Sequence, residues 1–103
     1  MNEICKMAVD TYGKESQINQ AIEKISELMV AINRWRRGRA TKGDVLNEIA
    51  EVVIMLHQLC YIIYEKENGN EICNELITKK LEQLEWVIKW DIKCRESANT
   101  QKS

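Results

Sequence analysis

Proline is absent from these 103 residues, glycine occurs at four positions, and no segment alternates apolar with polar residues as a half-buried strand does. Without proline nothing kinks a helix or removes one of its N–H donors. Apolar residues recur at three-and-four spacing along nearly the whole chain, so the reading is an all-α fold. There is no Gly-rich phosphate loop, no Ser/His/Asp constellation and no C-x-x-C pair, which removes P-loop, serine-hydrolase and zinc-finger chemistry. Cys5, Cys60, Cys73 and Cys94 are widely spaced, as in a reduced intracellular chain rather than a disulfide framework. His57 and Cys60 share a helical face without a second ligand pair, so they read as an interface histidine beside a small thiol. Charge of one sign is lacking too: the formal net charge is -1 with 30% charged residues, which argues against general attraction to nucleic acid or anionic membrane. The N-terminus lacks the apolar core of a signal peptide. The longest apolar-rich run, Val52 to Tyr64, is short for a bilayer and contains His57 and Gln58, so a cytoplasmic protein without a membrane partner is expected.

What is present divides into helices. Ile18, Ala21, Ile22, Ile25, Leu28, Met29, Ile32 and Trp35 form one apolar stripe, predicting a long helix from about Glu15 to Arg37 that Gly38 ends, with Trp35 in the core. Asp44 is placed to cap the next helix, where Leu46, Ile49, Val53, Leu56, Cys60 and Ile63 make a second stripe ending near Glu67. Beyond Val52 that helix is apolar almost all round. It needs cover from the same chain or a second subunit, and Tyr61, Ile62 and Tyr64 point toward an oligomer. Asn68, Gly69 and Asn70 read as a turn with Asn70 as cap. A third long helix then carries Leu76, Ile77, Leu81, Leu84, Val87, Ile88 and Ile92, with Trp86 and Trp90 on its flank. The first dozen residues suit a short helix. A single domain over residues 1–96 with a fraying polar tail at 97–103 is the expected organisation.

Beside the stripe of the first long helix runs a polar line, Gln20, Lys24, Glu27, Ala31 and Arg34, and the second has its counterpart in Glu48, Glu51, Met55 and Gln58. Residues three apart lie about 60° apart around a helix, so each acidic or mixed pair presents to a shared patch. If the two helices pack antiparallel, Glu27, Glu48 and Glu51 face one cavity, a set of oxygen ligands suited to Mg²⁺. The plain alternative is a group of half-exposed carboxylates with Lys24 as an ion-pair partner. Arg34, Arg36, Arg37, Arg39 and Lys42 crowd the end of the first long helix. They suit a phosphate grip at a pocket mouth, or simply cations at a helix C-terminus.

The segment GKESQINQAIEKISELMVAI, the Arg-rich helix end, LNEIAEVVIMLHQL and KKLEQL together resemble the MazG-like nucleoside triphosphate pyrophosphohydrolases, from about Tyr12 to Leu84. The resemblance implies a MazG-like bundle of three long helices plus a short N-terminal one, completed by dimerisation or higher oligomerisation. In that family an E-x-x-E pair and an E-x-x-D pair hold Mg²⁺, and nucleoside triphosphates are cut between the α and β phosphates. Carried over, Glu27 matches the second acid of the first pair and Glu48 the first acid of the second, while Glu51 stands for the usual Asp. These three are the catalytic and metal-binding candidates, with Glu23 as a substitute ligand. Lys24 stands where the leading Glu should be, and its ammonium would repel Mg²⁺ and take its place among the acids. Lys24, Arg34, Arg37 and Lys80 are the candidate phosphate contacts.

Three readings follow. The first is a nucleotide-binding protein on a MazG-like scaffold whose metal site Lys24 weakens, holding or sequestering a phosphate-bearing nucleotide, a role that would suit a phage counter-defence factor. The second is an active Mg²⁺-dependent pyrophosphohydrolase. The third is a non-catalytic helical interaction module using Tyr61, Tyr64, Trp86 and Trp90.

Overall fold

The computed structural model describes residues 2–64 and 68–102, and every element among them is helical: α1 Asn2–Tyr12, α2 Lys14–Arg36, α3 Lys42–Tyr64 and α4 Gly69–Lys102. The chain divides into two compact units, Met1–Asn70 and Glu71–Ser103, each described by itself. The expected end of the second long helix near Glu67 lies outside the described residues.

Local chemistry sets the boundaries in the first unit. Gly13, at φ 92°, separates α1 from α2; its N–H bonds the Val9 carbonyl (2.8 Å) and its carbonyl accepts from Gln17 N–H (3.1 Å). At the end of α2, Gly38 adopts φ 74°, a left-handed conformation that costs any residue with a Cβ. It allows the Gly38 N–H to reach the Trp35 carbonyl (2.9 Å) and the Arg39 N–H to reach the Arg34 carbonyl (2.8 Å), the paired bonds of a Schellman turn. The glycine stop expected from sequence is therefore observed. The start of α3 differs in detail. Thr41 is its cap, because its Oγ1 accepts from Asp44 N–H (3.1 Å) while Asp44 Oδ2 accepts from Thr41 N–H (2.8 Å). Asp44 closes this capping box from the third helical position rather than capping the helix itself. Asn70 is likewise not a cap: it lies inside α4, and its Nδ2 donates to the His57 carbonyl at 3.3 Å.

The packed face of the first unit coincides with only part of the apolar stripe on α2, at Ala21 and the half-buried Ile18 and Leu28, and departs from the stripe on α3. The buried residues of its first three helices are Cys5 and Val9 on α1, Gln17 and Ala21 on α2, and Val52, Met55, Gln58 and Ile62 on α3. On α3 this face is offset by one residue, about 100° of rotation, from the expected stripe. Leu46, Val53, Leu56 and Ile63 consequently stand exposed, as do Ile22 and Met29 on α2. Trp35, expected in the core, is 43% exposed. The reason is pairing. Gln17 Nε2 donates to Gln58 Oε1 at 2.6 Å across the seam, and Ala21, fully buried, removes the bulk that would hold the helices apart. The seam is built from Gln17, Ala21 and the half-buried Lys24 on α2 and from Val52, Met55, Gln58 and Ile62 on α3, and most of the large residues of the apolar stripes face outward.

By length and composition alone α3 would qualify as a membrane-crossing helix, yet its packed face carries Gln58 and its first half carries Glu48 and Glu51. α4 runs 34 residues from Gly69, through the segment expected as a frayed tail. Ile72 and Cys73 are partly covered, and every side chain from residue 74 to residue 99 is exposed. Trp86 and Trp90, one turn apart, stack with ring centroids 6.0 Å apart and planes 5° from parallel.

Candidate functional site

The seam opens at its Arg-rich end into a cleft of about 630 Å³, lined from α2 by Glu23, Ser26, Glu27, Val30, Ala31 and Arg34 and from the turn and α3 by Ala40, Asp44, Asn47 and Glu48. At its inner end the three expected acids meet. Glu27, Glu48 and Glu51 each bring one carboxylate oxygen within 4.8 Å of the others, all half-buried. Oxygens across one hard cation are about 4.2 Å apart for Mg²⁺ and about 5 Å for Ca²⁺, and adjacent ones are closer, so the three acids would draw together to hold a single ion.

Lys24 stands among these acids. Its Nζ lies 3.1 Å from Glu27 Oε2 and 3.2 Å from Glu51 Oε2, bridging α2 to α3. Its pKa is raised above the ordinary lysine value, first by the bonds to Glu27 and Glu51 and then by their charges, so the ammonium is fixed in its charged form. Glu48 has no such partner. Its Oε2 is shielded from solvent and finds no hydrogen-bond partner among the described residues. Burial raises the Glu48 pKa, the charges of Glu51 and Glu27 raise it further, Lys24 offsets part of this, and a side-chain hydrogen bond with Glu51 adds to the rise. One ammonium thus bonds two carboxylates and compensates the third only in part. The Glu48 oxygen marks where further positive charge, or a proton, is favoured.

The other expected residues fall at different places. Arg34 lines the cleft, with the Asp44 carboxylate near enough to feel its charge; the Thr41 bonds first, and Arg34 after them, hold the Asp44 pKa below the usual carboxylate range. Glu23 lines the cleft but stands outside the three-acid group. Arg37 is the exposed C-cap of α2 and is not among the lining residues. Lys80 lies on α4, in the second unit, whereas the cleft is built wholly from the first. His57 and Cys60 gather no further metal ligand among the described residues.

Ser26, Asn47 and Asp44 are cleft residues that sequence reasoning passed over as ligand contacts. A signal existed for two of them: Asp44, Asn47, Glu48 and Glu51 are spaced three and four apart, so they share one side of α3. Ser26 offered none, since its Oγ bonds the Ile22 carbonyl at 2.9 Å as in any exposed helix.

No protein-family model, no curated protein and no solved structure matches this chain. The functional reading therefore rests on the residues and their geometry.

Proposed function

We propose that this chain binds a phosphate-bearing nucleotide in the α2–α3 cleft and holds it rather than cutting it efficiently, on a scaffold that resembles the MazG-like pyrophosphohydrolases. The observation that carries the reading is the position of Lys24. Its ammonium, 3.1 and 3.2 Å from Glu27 and Glu51, supplies in permanent form the charge that a divalent cation would supply reversibly. With those two carboxylates engaged, Mg²⁺, which demands near-octahedral oxygen geometry, has a weakened site centred on Glu48.

Charge also sets a condition on the ligand. Glu23, Glu27, Asp44 and Glu48 line the cleft against the single guanidinium of Arg34, so bare phosphates would meet net repulsion. A nucleotide enters this cleft with its charge partly neutralised by a divalent cation. Arg34 at the mouth then supplies a fork for phosphate oxygens, while Val30, Ala31 and Ala40 offer an apolar wall.

A second reading, an active Mg²⁺-dependent hydrolase cleaving between the α and β phosphates, draws support from the orphaned Glu48 Oε2 within the three-acid group. A divalent cation in such a site supplies charge neutralisation on phosphoryl oxygens and a more acidic bound water. In that reading Glu27, Glu48 and Glu51 are the catalytic set.

Calorimetric titration of nucleoside and deoxynucleoside triphosphates, with and without Mg²⁺, followed by chromatography of the recovered ligand, separates the two. Binding that needs Mg²⁺ and returns the nucleotide intact is the expected result. Pyrophosphate release that Glu48→Ala abolishes would move the conclusion to the hydrolase. Absence of binding across the panel by folded protein would remove both.

A further inference from the structure

α4 carries apolar residues on two opposite sides. Ile77, Leu81, Leu84, Ile88 and Ile92 lie within a narrow stripe, Trp86 and Trp90 lie on the opposite side, and Leu76 and Val87 lie between them, all exposed. Most of the stability of a helix in a protein comes from packing its apolar faces, so these exposed faces call for cover. A single compact neighbour covers one side of a helix, so the second side requires another molecule.

We infer that the Ile77–Leu81–Leu84–Ile88 stripe of α4 pairs in parallel with the same stripe of a second copy of this chain. Three observations single out a second copy as occupant. The four residues follow the alternating four-and-three spacing of a coiled-coil seam. Lys80 directly precedes Leu81 and Glu85 directly follows Leu84, the two flanking positions that meet across a parallel pair. Two-fold symmetry would then bring Lys80 of each copy to Glu85 of the other, twice. An antiparallel pair would instead set like flank against like. Finally, Glu71–Lys102 holds six acidic and six basic residues, so net charge does not oppose association of α4 with itself. On this account Lys80 selects a partner rather than gripping phosphate, and the pairing stands or falls independently of any nucleotide.

Light scattering and sedimentation of the full chain, with helix content followed by circular dichroism, test the pairing. The wild type is expected at twice the 12.0 kDa chain mass. Lys80→Glu alone and Glu85→Lys alone are each expected to weaken association about tenfold by placing like charges across both symmetric contacts. The double variant, with the charges exchanged, is expected to restore it. Restoration is the decisive readout, because the exposed contact between Glu85 and Lys89 within the helix (2.6 Å) is lost in the double variant as well and cannot account for a rescue. A single-chain mass at all concentrations, an oligomer indifferent to both reversals, or a double variant no better than the singles would each overturn the parallel pairing.

Discussion

The α2–α3 seam and α4 solve the same problem in opposite ways. The seam buries polar side chains and gives them partners: Gln17 with Gln58 at 2.6 Å, and Lys24 with Glu27 and Glu51 at 3.1 and 3.2 Å. Many of its large aliphatics, such as Ile22, Met29, Val53 and Leu56, stand outward, while Val52, Met55 and Ile62 are buried. α4 has few such pairings and offers apolar residues on two sides with none of them buried from residue 74 to residue 99. The contrast teaches that apolar content alone does not say where a helix packs in this chain. Pairing and small size fix the seam, so its geometry is specific and it carries the cleft. α4 instead leaves its apolar residues exposed over residues 74–99.

The comparison breaks most readily at Ala21. Because Ala21 is fully buried and its neighbour Ile22 is 60% exposed, enlarging the small residue should hurt more than trimming the large one. Ala21→Leu is expected to cost about 1–3 kcal/mol by overpacking the seam. Ile22→Ala is expected to cost no more than about 0.5 kcal/mol, as for a surface change. Urea unfolding of both variants reads the difference, and the reverse order would mean that the Ile22 side of α2, not the Ala21 side, faces inward. Next comes the buried amide pair. Gln58→Leu leaves the Gln17 amide unpaired at a cost of about 1–3 kcal/mol, whereas replacing both by Leu should recover most of it. A double variant as unstable as the single one would show that the hydrogen bond is not what the seam depends on.

Much of this was legible in the sequence. The absence of proline, the three-and-four spacing and Gly38 announced four helices and the turn after α2. The residue types on the polar lines announced that Lys24, Glu27, Glu48 and Glu51 could meet, and in the structure they do. The rotation of the seam was not legible, because stripes such as Leu46, Val53 and Leu56 satisfy the rule that apolar residues face a core, and the rule does not say which core. A one-residue offset, decided by the Gln17–Gln58 bond and the small Ala21, lies below what apolar spacing resolves. The cap was misassigned for a related reason: Thr41 and Asp44 are both good cap residues, and a capping box uses both.

At the site, Lys24→Glu sharpens the comparison between a seam closed by an internal ammonium and one closed by an ion. The variant adds a fourth carboxylate to the three already converging. It should lose stability in metal-free buffer and gain Mg²⁺ affinity by about tenfold or more, the scale of one well-placed charge–charge contact. Calorimetry with Mg²⁺ alone measures this. An unchanged affinity in a folded variant would dismantle the site built on Glu27, Glu48 and Glu51.

The smallest expected effect isolates the carboxylate that Lys24 leaves over. A carboxyl whose pKa is raised by folding binds its proton more tightly in the folded state, so its contribution is full below the unfolded carboxylate range of about 4.3 and is lost as pH rises through the higher folded value. Ionised Glu48 therefore weakens the fold at neutral pH, and Glu48→Gln should melt a few degrees higher there. The gap should close as pH falls below about 4, where wild-type Glu48 is protonated and resembles Gln. Asp44 behaves oppositely. Its folded pKa is lowered, so its contribution holds at neutral pH and is lost on acidification through that lower value, in the variant and the wild type alike. Added Mg²⁺ supplies a second check on the same residue, since it should raise the wild-type melting temperature at pH 7 and leave Glu48→Gln nearly unmoved. A variant that melts no higher than wild type at neutral pH would mean that Glu48 is not under charge stress, and the case for a cation beside it would lose its physical motive.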